Sequence, residues 1–99
     1  MTFTVTWLPS AEQELASIWM AASNRDAVTQ AAYVVDQRLK TDPENEGESR
    51  TKDRRILFCK PLGVLYRVLG DEQVVQVLHV WSLKVNHGLL PLSQPYPAR

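Results

Sequence analysis

The sequence predicts an α+β domain: an N-terminal strand, an α-helical hairpin and a three-stranded antiparallel β-meander, followed by an irregular C-terminal tail. Three observations carry this reading. The chain opens on a period of two, residues 11–39 hold apolar side chains at helical spacing, and three short apolar runs separated by turn residues follow.

In the first strand Thr2, Thr4 and Thr6 alternate with Phe3, Val5 and Trp7, the pattern of a strand with one buried face. Pro9 and Ser10 end it. Ser10 with Gln13 has capping-box spacing, which predicts a helix start, and Ala11, Leu15, Ile18, Trp19 and Ala22 form its apolar stripe. Asn24 is the expected N-cap of a second helix, with Val28, Ala31, Ala32, Val35 and Leu39 on one stripe and Pro43 as a stop. Residues 42–49 are acidic and turn-rich and read as a loop. Strands are expected at about residues 54–60, 63–69 and 73–81, with turns at Pro61–Gly63 and Gly70–Asp71. The first strand is expected to join an edge of their sheet. Residues 82–99, with Pro91, Pro95 and Pro97, show no period and read as a tail on or extending from the domain formed by residues 1–81. Trp7, Trp19 and Tyr66 are expected in the core.

The 99 residues, 44% of them hydrophobic, suit one core. No apolar run reaches the length of about 18 residues that a membrane span needs, and no secretory signal is visible, so a cytoplasmic protein without membrane contact is expected. Cys59 is the single cysteine, and no Cys/His cluster has zinc spacing. No metal site or cofactor is expected.

The formal net charge is zero, which argues against strong sequence-independent binding to nucleic acid. The charge is nevertheless segregated. Residues 1–50 carry four basic and eight acidic groups, residues 51–99 seven basic and three acidic, giving −4 and +4. Lys52, Arg54, Arg55, Lys60 and Arg67 lie close together with only Asp53 opposing them, the composition of a local anion-binding surface or of a solvated strand edge.

The order of elements, Val5-Thr6-Trp7 ahead of an Ala/Glu/Leu-rich helix, and the runs Arg54-Arg55-Ile56-Leu57, Pro61-Leu62-Gly63-Val64-Leu65-Tyr66-Arg67-Val68 and Val74-Val75-Gln76-Val77-Leu78-His79-Val80 together resemble the RelE/ParE superfamily. The resemblance spans roughly residues 3–81. It implies a type II toxin held inactive by a cognate antitoxin. RelE-like members cut mRNA on the ribosome, whereas ParE-like members poison DNA gyrase and have no known hydrolytic site.

RNA cleavage without a metal needs activation of a 2′-OH, stabilisation of charge on the phosphate and protonation of the leaving oxygen. The resemblance places RNA-binding cations at Arg54 and Arg55, with Arg50, Lys52 and Lys60 beside them. Gly63 stands where the family's third-strand arginine is expected, and Trp81-Ser82-Leu83 occupies the region of a late arginine. Arg67 is the candidate to substitute as phosphate ligand, its alternative being an ordinary exposed strand residue on the face opposite Tyr66. His79, with an ordinary pKa of about 6.5, is the candidate for proton transfer. By strict alternation His79 shares a side with Val75, Val77 and Trp81, and a hydrogen-bonded role at the sheet margin is its alternative. Trp81 offers a ring for base stacking or for packing, and Lys84 and His87 are late candidates in the tail. The expected function is therefore a toxin acting as a ribosome-dependent mRNA endoribonuclease, alternatively a non-enzymatic inhibitor of gyrase or an inactive member that only binds its antitoxin.

Overall fold

A computed structural model describes residues 2–50 and 53–83. Its elements are β1 (Thr4–Trp7), α1 (Pro9–Ala21), α2 (Arg25–Thr41), β2 (Glu48–Ser49), β3 (Arg54–Cys59), β4 (Leu62–Leu69) and β5 (Val74–Ser82). All five strands form one sheet in the order β1-β5-β4-β3-β2. The meander β3–β4–β5 is antiparallel because short turns reverse the chain, and β1, which reaches the sheet through two helices, joins the β5 edge in parallel. The tail expected from residue 82 starts later, since β5 includes Ser82, and from residue 84 it lies outside the described residues.

Both helices cover one face of the sheet. Val28, Ala31, Val35 and Leu39 of α2 and Ala11 of α1 are buried against Leu57, Leu62, Val64, Tyr66, Val75, Val77 and Val80. Each fully buried Val or Leu contributes about 1.5–3 kcal/mol, so this layer supplies most of the driving force. α1 lies chiefly along β5, and α2 reaches β1, β3 and β4.

The two helix starts differ in a way the cap residues explain. Asn24 caps α2, its side-chain oxygen accepting the Ala27 N–H at 3.1 Å. Ser10 does not cap α1. That helix starts two residues earlier, with Leu8 at the N-cap and Pro9 in the first turn, where its missing N–H costs nothing; the Ser10 hydroxyl instead donates to the Leu78 carbonyl at 3.4 Å.

Two further expectations are corrected. Trp19 is not a core residue: it stands 39% exposed on the side of α1 that faces α2, its indole N–H donating to Thr29 Oγ1 at 3.2 Å. Residues 42–49 are not all loop, because Glu48–Ser49 pairs with Arg55–Ile56 as β2. Gly47 makes this approach possible with φ +66, where any Cβ would collide with the Ile56 backbone.

Candidate functional site

The face of the sheet turned away from the helices is decided by strand register. β3 pairs with β4 so that Arg54 faces Arg67, Ile56 faces Leu65 and Phe58 faces Gly63. β5 opposes these in turn with Gln76 at Arg67, His79 at Leu65 and Trp81 at Gly63. Between Leu65 and Tyr66 the register slips, because their partners are His79 and Val77, and Leu78 is an extra residue on β5. This bulge overturns the alternation read from sequence. Val75 and Val77 point into the core, whereas His79 and Trp81 share the outer face with Arg67 and Arg54.

The sheet therefore brings together Arg54, Arg67, His79 and Trp81, with Arg50 beside them through its backbone N–H to the Arg54 carbonyl at 2.9 Å. A row of polar residues, Thr6, Gln76, Arg67 and Arg54, crosses four strands. Two arginines set directly opposite repel one another, and Asp53 relieves this by holding Arg67 Nε at 3.3 Å. Arg50 pairs with Glu48 at 3.2 Å. Both pairs are partly exposed and worth about 0–1 kcal/mol, so an arriving anion can compete for either arginine.

The neighbour of Arg54 has a different task. Arg55 is on the helix-facing side of β3, where its Nε donates to the Glu46 carbonyl at 2.8 Å and its Nη2 to the Gly47 carbonyl at 3.2 Å. The fully buried Tyr66 hydroxyl lies beside it, 2.8 Å from the Pro43 carbonyl and 2.6 Å from that of Glu46. Burial raises the Tyr66 pKa above its ordinary 10.0, with Arg55 opposing the shift, so the phenol stays protonated and donates at neutral pH. Arg55 thus anchors the loop from the helix-facing side of β3 and does not share the outer face with Arg54.

His79 is exposed, and its Nδ1 lies 3.2 Å from Glu14 Oε2 on α1. The other Glu14 oxygen accepts the Val80 N–H at 2.9 Å. One carboxylate therefore satisfies the β5 edge beyond the end of β1 and orients the imidazole. Trp81 is only 8% exposed, and an added Cβ at Gly63 would meet its indole. The ring packs across the glycine, which leaves no broad face on which a base could stack. Lys60 is an exposed turn residue between β3 and β4. Lys52, Lys84 and His87 lie outside the described residues.

Sequence reasoning missed Glu14 and Asp53, the carboxylates that hold His79 and Arg67. Asp53 was visible as the single acid in a basic run, but Glu14 lies 65 residues from His79 and carried no signal.

A strand, a helical hairpin and a meander closing a mixed sheet are the architecture of the small α+β toxins of bacterial toxin–antitoxin pairs. Residues 5–84 match the family described as the ParE toxin of the type II toxin-antitoxin system parDE, and the chain belongs to that family. It is the toxin component of such a system, and its partner is a cognate antitoxin. No curated protein matches it in sequence. Among solved structures it is similar to the toxin-antitoxin complex RelBE2 from Mycobacterium tuberculosis, at 15% identity over 83% of this chain and 99% of that one, with a TM-score of 0.70. A mutant of E. coli toxin RelE in the free state gives a TM-score of 0.64 at 16% identity, covering 85% of this chain and 86% of that one. The chromosomal ParDE system from P. aeruginosa gives 0.59 at 16% identity, covering 84% and 98%. At such identities these likenesses concern the fold.

Proposed function

We propose that this toxin acts by binding its target and not by cutting RNA, as a ParE-like inhibitor of DNA gyrase. The observation that carries the reading is the position of Arg55. With Arg55 turned to the helix side, the described charges around the outer face are Arg50, Arg54 and Arg67 against Glu48 and Asp53, a single uncompensated positive charge. An RNase of this fold needs a convergent set of cations to stabilise a dianionic phosphorane and a base and acid beside it. His79 here is aimed at Glu14.

The test is a pair of assays with the purified chain. In plasmid supercoiling by gyrase with ATP, the toxin is expected to suppress supercoiling and accumulate linear, gyrase-linked DNA, while a defined mRNA in cell-free translation keeps its 5′ ends intact. Ribosome-dependent cuts at codon boundaries would overturn the proposal. A second reading, a ribosome-dependent endoribonuclease in the cytoplasm, is favoured by one observation: Arg54 and Arg67 lie side by side with His79 one row away on the same face. The two readings separate by mutation. A binding surface predicts graded losses of about 3–10-fold for Arg54→Glu or Arg67→Glu, whereas an enzyme predicts about 100-fold or more at a residue that acts only in the transition state.

A further inference from the structure

The outer face of the sheet has two ends of different character. Arg54, Arg67 and Gln76 make a polar row, whereas the end at the β3–β4 turn carries Ile56, Phe58, Leu65 and Trp81 around Gly63. The solvated face of an antiparallel sheet is normally polar, and large apolar side chains in two adjacent rows depart from that pattern.

This end is under cover. Ile56 and Trp81 are only 9% and 8% exposed, yet neither belongs to the core beneath the helices. Side chains stand upright on a strand, so neighbours in the sheet shield the flanks of an isoleucine and a further layer is needed over its tip. Among the described residues no element forms that layer. Both helices pack on the opposite face, and α1 reaches only the β5 margin through Glu14, two strands away from Ile56.

The chain leaves the described fold at the same place. β5 ends at Ser82, and the Leu83 N–H donates to the Pro61 carbonyl at 2.7 Å, which holds the backbone beside the β3–β4 turn two residues after Trp81. Residues 84–99 follow, outside the described residues, and include Val85, Leu89, Leu90, Leu92 and Tyr96. From β5 to β3 is two strand spacings, about 10 Å, which about three extended residues bridge. The leucines are therefore within reach of Ile56. The segment carries Lys84 and Arg99 and no acid, so it brings no carboxylate to compete for Arg54 and Arg67. A cavity near Leu83 also opens on the helix side, between Ile18, Ala27 and Pro61, but its rim is Ser17, Ser23, Asn24 and Ser82, polar groups that an apolar segment would have to desolvate.

We infer that residues 84–99 fold back over the turn end of the outer face, their leucines packed on Ile56, Leu65 and Trp81, while Arg54 and Arg67 stay open beside them. The tail then completes a second, small core and divides the outer face into a covered apolar end and an open cationic end. The inference is independent of whether the target is gyrase or the ribosome.

Two measurements on the full chain test it. In the first, a nitroxide is attached at Ser93→Cys in a Cys59→Ser background, and paramagnetic broadening of backbone amide signals is read by NMR. Broadening is expected at Ile56, Leu65 and Trp81 and not at Ser23 or Ala27. Broadening at Ser23 and Ala27 instead puts the tail in the helix-side cavity, and broadening at neither set leaves it off the domain; either result overturns the inference. The second keeps Cys59 and combines Leu89→Ser, Leu90→Ser and Leu92→Ser, with hydrogen exchange followed at each indole N–H. Trp81 is expected to exchange at least about tenfold faster, while Trp7, held on the helix side by Asp36 at 3.3 Å, keeps its rate within about twofold. Equal acceleration at both rings, or none at Trp81, would show that the leucines do not lie on this face.

Discussion

At the Tyr66 hydroxyl two carbonyls, those of Pro43 and Glu46, share a single proton, and Arg55 supplies the further donors that keep the Glu46 and Gly47 carbonyls satisfied. Tyr66→Phe removes the hydroxyl and leaves buried acceptors short of a donor, so it is expected to destabilise the protein by about 1–3 kcal/mol in urea unfolding. The sign of its pH dependence follows from the raised pKa. Below pH 10 the phenol is protonated in folded and unfolded chains alike and its contribution is complete; above it the unfolded chain releases the proton first, and stability falls as pH rises through the folded value. Tyr66→Phe is therefore expected to flatten the loss of stability seen above pH 10, and an unchanged alkaline slope would show that other groups control it. Gly63 illustrates a residue that departs from the family pattern for a packing reason. Any side chain there collides with the Trp81 indole, so Gly63→Ala is expected to cost about 1–3 kcal/mol, measured by the shift in denaturation midpoint.

Among the elements, the helices show how the same cap chemistry succeeds in one place and is redirected in another. Asn24 has no competing partner near β5 and caps α2, whereas Ser10 meets the Leu78 carbonyl, left available because β1 ends at Trp7. Asn24→Ala is expected to lower stability by about 1 kcal/mol. Ser10→Ala, which loses one long exposed hydrogen bond, is expected to change it by less than about 0.5 kcal/mol. Equal losses in thermal unfolding would contradict the two assignments. In β5 the extra residue at Leu78 turns the strand's second half over, placing Val80 in the core and His79 outside.

Considered as a whole, the molecule keeps its two kinds of surface apart. The acidic first half of the chain supplies the helical hairpin with its apolar groove, whereas the outer face of the sheet draws its cations from both halves, Arg50 beside Arg54 and Arg67. The formal net charge of zero reflects equal numbers of basic and acidic residues, 11 of each.

The elements were legible in sequence because each depends on near neighbours. The Thr2–Trp7 alternation, the Val28–Leu39 stripe, the Asn24 cap and the Gly70 turn encode local periodicity and backbone preference, and the structure agrees with each. The family pattern was legible for the same reason, since its weak matches follow the order of those elements. The candidate site was legible only as a set of residue types. Which of Arg54 and Arg55 faces outward, the bulge that moves His79 and Trp81 to that face, the capture of His79 by Glu14 and the exposure of Trp19 all depend on register and on contacts between distant segments. A period of two names two faces without saying which is buried, and one extra residue exchanges them; the sequence determined the elements and the family, and only tertiary packing decided which side chains meet a partner.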